Sequence, residues 1–253
     1  MGPVPSHADT VARRRDVLTA LSTPRTKPEI VDLLTISRST VDRAIDELQD
    51  HGLVQREGSE YVATYAGREA VTAYEAFLER VSALERVQPV LESLDHDVDV
   101  PPEVLEGATV DQPAPEVPES PIEQTIERIT GATSLRGVSP VLLSRYVDLC
   151  TALASDGADV ELLLTDGVLD RLPETYPDGF ETLAESDHVR IFLITEAPPY
   201  SLWRAEQSDG PVSGFVVYGE NGVAGAISND TPAMNEWVRE EYERLRADAQ
   251  RLA

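Results

Sequence analysis

Ser37, Arg38, Ser39, Thr40 and Arg43 fall in one short run of the chain, three hydroxyls and two guanidiniums around the start of a predicted helix. Backbone N–H groups and the dipole at a helix N-terminus favour anions, and hydroxyls there can hydrogen-bond phosphate oxygens. Arginine forks can reach either phosphates or the edges of bases. The chemistry this pattern points to is therefore recognition of a nucleic acid. Lys27 ahead of the run belongs to the same candidate set, and so does Arg56, beside Glu57-Gly58 at the tip of a predicted hairpin, for minor-groove or backbone contact. Between residues 13 and 43 the basic residues are Arg13, Arg14, Arg15, Arg25, Lys27, Arg38 and Arg43, against Asp16, Glu29, Asp32 and Asp42. The opposing reading of these arginines is a set of solvated salt bridges.

Other chemistries find little support. His7, His51, His96 and His188 are scattered, with no pair at ligand spacing, so no metal site is expected. Cys150 is the single cysteine, which excludes an intrachain disulfide and a thiolate cluster; its apolar helical setting reads as a buried small hydrophobe rather than a redox sensor. No Gly-rich phosphate loop is present, and no cofactor is expected.

The whole chain of 253 residues carries 46 acidic and 21 basic residues, a formal net charge of -25. Lys27 is its only lysine, and the acidic residues are dispersed through both halves. Dispersed carboxylates keep a protein hydrated in concentrated salt, where the screening length falls to about 3 Å. The acidity thus points to a salt-rich, halophilic cytoplasm rather than to the partner, and any contact with DNA must be local. The first residues lack a basic and apolar leader pattern, and no apolar run approaches the roughly 20 residues of a membrane span, so a cytoplasmic protein with no membrane partner is expected.

The elements that must carry these residues follow from periodicity. A first helix has Val11, Val17, Leu18 and Leu21 on one face; a second runs from Pro28 to Leu34; a third opens at the cap Ser37 and turns Val41, Ala44, Ile45 and Leu48 inward. A hairpin spans Leu53 to Tyr65. A long helix is predicted from Arg68 to Leu94, kinked or divided at Pro89. The proline-rich acidic stretch over 96–120 reads as an extended linker. Beyond it, helices are predicted at 121–129, 141–155, 168–172, 180–184 and 231–252, and strands at 134–138, 160–164, 189–194, 201–205, 214–218 and 223–227. The fold class is α+β, with four parts: 1–65 for DNA binding, 66–95 as a connecting and dimerisation helix, 96–120 as linker and 121–253 as a regulatory sheet domain.

From about Val11 to Tyr65, through Thr26 to Leu48 and then Gly52-Leu53-Val54, the chain resembles the winged helix-turn-helix of archaeal and bacterial regulators of the MarR and ArsR type. From about Pro121 onward, through Leu135-Arg136-Gly137-Val138-Ser139, the run Asp159 to Thr165, Tyr218-Gly219-Glu220-Asn221-Gly222 and the run Asn235 to Arg244, it resembles the regulatory domain of the archaeal methanogenesis regulatory protein family. That domain is similar to the phospholipase D-like fold also used in TrmB-type regulators, which implies a ligand pocket without catalysis. A catalytic member would need a His-x-Lys-x4-Asp signature, because the histidine attacks phosphorus and the lysine neutralises charge. His188-Val189-Arg190 is the nearest approach and lacks both lysine and aspartate.

These resemblances imply a dimeric transcriptional regulator that binds double-stranded DNA and is tuned through its C-terminal domain, by a small-molecule effector or by redox or salt state. Tyr200, Trp203, Arg204, Phe215 and Tyr218 are the aromatics and cation best suited to an effector pocket, against core packing for each; Trp237 is read as a packing anchor. The alternatives are an interaction protein that recruits transcription machinery, and an enzyme fused to a DNA-targeting module.

Overall fold

The computed structural model describes residues 6–94, 98, 100–196, 198–220 and 222–252. Met1 to Pro5 of the leader reading, His96 and Asn221 lie outside the described residues. The chain divides into two compact units, Met1–Val81 and Ser82–Ala253.

In the first unit, α1 (Ser6–Ala20), α2 (Lys27–Leu34) and α3 (Arg38–Asp50) precede a two-stranded hairpin, β1 (Val54–Glu57) and β2 (Glu60–Ala63), and α4 (Tyr65–Leu91) begins. The inward residues read from the sequence form one core: Val11, Val17, Leu18 and Leu21 meet Ile30, Val41, Ala44, Ile45 and Leu48, all buried. The break between α2 and α3 turns on Thr35, whose φ of 54° is left-handed. A non-glycine residue there costs on the order of 1 kcal/mol. The surrounding core holds the turn. Arg25 and Tyr61 exchange backbone hydrogen bonds at 3.0 and 2.8 Å, adding a third short rung to the hairpin. At the start of α4, Gly67 sits so close to the Leu53 carbonyl that any Cβ would collide with backbone.

The second unit is built on an eight-stranded mixed sheet. Its strands are β3 (Thr109–Asp111), β4 (Ser134–Ser139), β5 (Asp159–Thr165), β6 (Val189–Ile194), β7 (Tyr200–Gln207), β8 (Gly210–Gly219), β9 (Gly222–Asn229) and β10 (Gln250–Arg251). They lie in the order β10-β6-β5-β4-β7-β8-β9-β3. α6 (Ser120–Ile129) leads into β4; β4, β5 and β6 are parallel, linked through α7 (Ser144–Ser155), then α8 (Asp166–Thr175) and α9 (Pro177–Glu185); β7, β8 and β9 form an antiparallel meander. Alternation along the strands divides the apolar residues between two faces. Val138, Leu163, Phe192, Leu202 and Phe215 pack with Met234, Val238 and Tyr242 of α10 (Pro232–Ala247). Leu135, Val160, Leu164, Ile191 and Trp203 pack instead with Leu149, Cys150 and Leu153 of α7.

Two sequence expectations are corrected here. The stretch 96–120 is not an extended linker over its described length: α5 (Pro102–Leu105) buries Val104 and Leu105 in the α10-side core, and β3 pairs with β9 from Thr109↔Ser228 to Asp111↔Ala226. Prolines at 101 and 102 open a short helix where their missing N–H groups cost nothing. Nor is the helix a separate part over 66–95, since the compact units divide within it, after Val81. Val71 and Tyr74 belong to the first core, Val87 and Val90 to the second. Nor does Pro89 divide the helix, which runs through it to Leu91.

Candidate nucleic-acid interface

α3 is two-sided. Val41, Ala44, Ile45 and Leu48 have no exposed surface, whereas Arg38, Ser39 and Arg43 are exposed. Ser37 caps the helix: its Oγ accepts from the Thr40 N–H at 3.2 Å and lies 3.0 Å from Ser39 Oγ and 2.8 Å from Thr40 Oγ1. Arg43 donates through Nε to Ser39 O at 3.1 Å, which holds the side chain along the helix and leaves its terminal nitrogens for other acceptors. The hydroxyls and both guanidiniums therefore share the N-terminal half of one exposed helical face, as the sequence placed them.

Lys27 and Arg56 come together over Tyr61. Lys27 Nζ lies 5.4 Å from the ring centroid and Arg56 Cζ 5.9 Å, so the ring's negative face holds two cations. Lys27 also pairs with Asp42 Oδ1 at 2.7 Å, and that hydrogen bond raises its pKa and lowers that of Asp42. Arg56 donates to Gly58 O at 2.8 Å within the wing. Sequence reading missed Tyr61 as the common platform. Strand alternation signals its burial, and Arg56 is its cross-strand partner in the hairpin, but Lys27 reaches it from α2, far along the sequence.

Part of the basic window is occupied internally. Arg13 and Arg14 each reach Glu47 at 2.8 Å, and the Arg14 hydrogen bond holds the Glu47 carboxyl below its usual range despite partial desolvation. Arg25 donates to Ala20 O at 2.8 Å. For Arg13, Arg14 and Arg25 the structural reading of the charge holds, leaving Arg38, Arg43 and Arg56 as the exposed guanidiniums of the candidate face.

The five residues proposed for an effector pocket do not form one. β7 alternates, so Tyr200 and Arg204 face α10 while Trp203 faces α7. Tyr200, Phe215 and Trp237 make an aromatic cluster with centroids 5.4 to 6.5 Å apart, and Tyr200 donates to Glu241 at 2.8 Å. Burial, then the nearby Glu241 charge, pushes the Tyr200 phenol up. Arg204 pairs with Glu206. Tyr218 turns to the face opposite Phe215, where it bonds Tyr146 and Ser201. Trp203 alone of the five lines a cavity of about 80 Å³, walled by Leu135, Leu162, Leu164, Val168 and Leu172. Its indole lies over Gly214, where a Cβ would stand 2.8 Å from Trp203 Cζ2. Ser139, Tyr146, Cys150 and Ser201 also line this cavity, and sequence reading had no signal for them beyond their types. Burial pushes the Cys150 thiol up to about 12.

His188 is half-exposed, 3.6 Å from Asp159. No group of three or more His, Cys, Asp or Glu residues suited to a metal occurs among the described residues. Among them too, no helix is long and apolar enough to cross a membrane.

Comparison with known proteins gives two family matches. Residues 118–248 match the middle domain of the methanogenesis regulatory protein FilR1, and residues 8–86 match the HVO_A0261 N-terminal domain. No curated protein matches. Among solved structures, TrmBL2, described as an archaeal chromatin protein with a novel mode of DNA binding, is 10% identical over 97% of this chain and 98% of its own, with a TM-score of 0.45. Nuc, a phospholipase D family member from Salmonella typhimurium, is 11% identical over 57% of this chain and 98% of its own, at 0.43. An IclR homolog from Microbacterium is 16% identical over 94% and 97%, at 0.26. These structural likenesses all fall below one half and carry no argument about function.

Proposed function

Because the chain belongs to the family defined by the FilR1 middle domain, we propose that it is a cytoplasmic, sequence-specific DNA-binding transcriptional regulator whose C-terminal sheet domain tunes that binding. The observation that carries this reading is the two-sided α3: a fully buried apolar face fixes the helix, and its opposite face offers Arg38, Ser39 and Arg43 beside the Ser37 cap. In this reading α3 enters the major groove with its N-terminal half toward the bases. Arg38 and Arg43 take base edges or phosphates, and Ser37, Ser39, Thr40 and Lys27 take phosphates. Arg56 meets the backbone or minor groove from the wing. The C-terminal domain acts in this reading by binding rather than catalysis: the cavity on the α7 side of its sheet is lined mostly by leucines and valines and by no charged side chain.

The regulator works as a homodimer in this reading. On α4, Phe77 is 57% exposed within the first unit, an apolar ring left for a second copy to cover. Two copies present two recognition helices to successive major grooves, about one helical turn apart.

The test is selection of bound sequences from random duplex DNA by the full chain in molar potassium chloride. Enrichment of a two-fold symmetric motif with half-sites about 10 bp apart supports the reading. Affinity for that motif should fall gently with salt, because counterion release drives less of the binding in an already concentrated medium. Absence of any enriched motif overturns the sequence-specific reading and favours recruitment of other proteins to DNA.

A further inference from the structure

Leu162, Gly137, Trp203 and Gly214 stand in one cross-strand row of β5, β4, β7 and β8, on the sheet face turned to α7. The two glycines of this row are used differently. At Gly214 a Cβ would stand 2.6 Å from Ile227 O and 2.8 Å from Trp203 Cζ2, so the indole takes the place of a side chain. At Gly137 a Cβ would meet, among the described residues, only Leu162 Cδ2 at 3.3 Å and Leu202 O at 3.9 Å, and the backbone there is open to any residue. Packing accounts for Gly214. At Gly137 the missing side chain instead makes part of a cavity of about 80 Å³.

The cavity reaches the carboxyl ends of the parallel strands β4 and β5, at Ser139 and Leu164, and the crevice past such strand ends is where sheets of this kind take ligands. Beyond β4 the chain continues through Val141, Leu142 and Leu143, three half-exposed apolar residues that also line the cavity and form its solvent side. No charged side chain lines it. Its hydroxyls are turned to one another or to backbone: Ser139 Oγ lies 2.8 Å from Val141 O and 3.1 Å from Ser201 Oγ. Tyr218 Oη lies 2.8 Å from Ser201 Oγ and 3.1 Å from Tyr146 Oη. The surface left to a guest is carbon, so a charged guest would lose its hydration and gain no counter-charge. A volume of about 80 Å³ is roughly half that of the engineered apolar cavity that takes benzene or xenon, which limits a guest to a few carbon atoms.

We propose that this cavity is a binding site for a small, uncharged, apolar molecule of about three or four carbon atoms, seated over Gly137 between Leu162 and Trp203. An oxygen on the guest is neither required nor selected. The inference deepens the regulator reading by naming the class of its effector, and it rests on that reading for its biological meaning. Binding is measured without DNA, so its failure leaves the selection of duplex DNA standing, and the reverse holds too.

The chain has two tryptophans, and Trp203 lines the cavity with its Nε1 buried and unpartnered among the described residues, so its indole N–H signal reports on a guest. The experiment titrates the full ¹⁵N-tryptophan-labelled protein with propane under pressure and, separately, with propanoate, a probe of the same length that carries a charge. The two indole signals are assigned through Trp237→Phe. The expected result is a saturable shift of the Trp203 signal with propane, with propanoate weaker by at least about a hundredfold, the cost of burying an unpaired charge. Gly137→Ala places a methyl group in the cavity against the flexible end of Leu162. It should weaken propane by about tenfold, the effect of overfilling a packed site, while the melting temperature stays equal or rises. No saturable shift with propane, propanoate bound as tightly, or unchanged propane affinity in a folded Gly137→Ala variant would each overturn the proposal. Should Gly137→Ala fail to fold, the two-probe comparison in the unaltered chain decides alone.

Discussion

Ser37, Ser39 and Thr40 at the start of α3 and Ser139, Ser201, Tyr146 and Tyr218 beside the sheet are both hydroxyl clusters with oxygen separations of 2.8 to 3.1 Å. The first is exposed at a helix N-terminus and flanked by Arg38 and Arg43. The second is half-buried or buried beside the sheet, its oxygens bonded to one another and to Val141 O. The same functional group is therefore open to an anion in one place and turned to its own neighbours in the other. Solvent access and neighbouring charge, not residue type, set which ligand a hydroxyl cluster favours.

This contrast can be broken at several points. The largest effect is expected at Cys150, whose burial lifts the thiol to about 12. At pH 8 its alkylation by iodoacetamide should be about a thousandfold slower in the native chain than in urea, the thiolate fraction falling about tenfold per unit. Fast native alkylation would show that the sheet domain opens readily to water. Next, Gly67→Ala forces a Cβ against the Leu53 carbonyl. It should cost about 3 kcal/mol in urea unfolding followed in the winged unit. Arg38→Ala with Arg43→Ala should weaken binding to a selected duplex by about 10- to 100-fold, with thermal stability unchanged. A comparable loss of stability would move both arginines into the structural class of Arg13 and Arg14.

Smaller effects sharpen the same contrast. Ser37→Ala removes the cap of α3 and should cost about 1 kcal/mol by chemical denaturation. The smallest concerns pH. The Arg14 hydrogen bond, then the charges of Arg13 and Arg14, lower the Glu47 pKa in the folded chain. Its stabilisation is therefore complete above the ordinary glutamate value and lost as pH falls through the lowered one. Glu47→Gln should flatten the acid limb of the melting curve between about pH 5 and 3; an unchanged limb would mean the pair contributes nothing.

The winged unit was legible because its signals are local. Helical spacing fixed Val41, Ala44, Ile45 and Leu48, and the same period placed Arg38, Ser39 and Arg43 outward. Six of the eight strands of the sheet were legible too, β3 and β10 being missed, but the neighbours of those six were not. Tyr200 and Trp203 sit three apart in sequence and on opposite faces of β7, and what each meets depends on strands and helices far along the chain. The cavity draws Ser139 from β4, Tyr146 from α7 and Ser201 from β7, a meeting no local period encodes. Residues 102–111 were misread because proline and acid content mimic a linker, whereas Val104, Leu105 and the β3 pairing supply the burial. Arg13 and Arg14 were counted toward DNA because Glu47, their partner, lies two helices away.

The central claim is that the exposed face of α3 reads DNA. It is tested most directly by genome-wide occupancy of the tagged protein in its native host, comparing the unaltered chain with the Arg38→Ala, Arg43→Ala variant at equal abundance. Discrete promoter peaks that vanish in the variant are the expected result. Peaks retained at full height would contradict the claim and place the determinant of binding elsewhere in the chain.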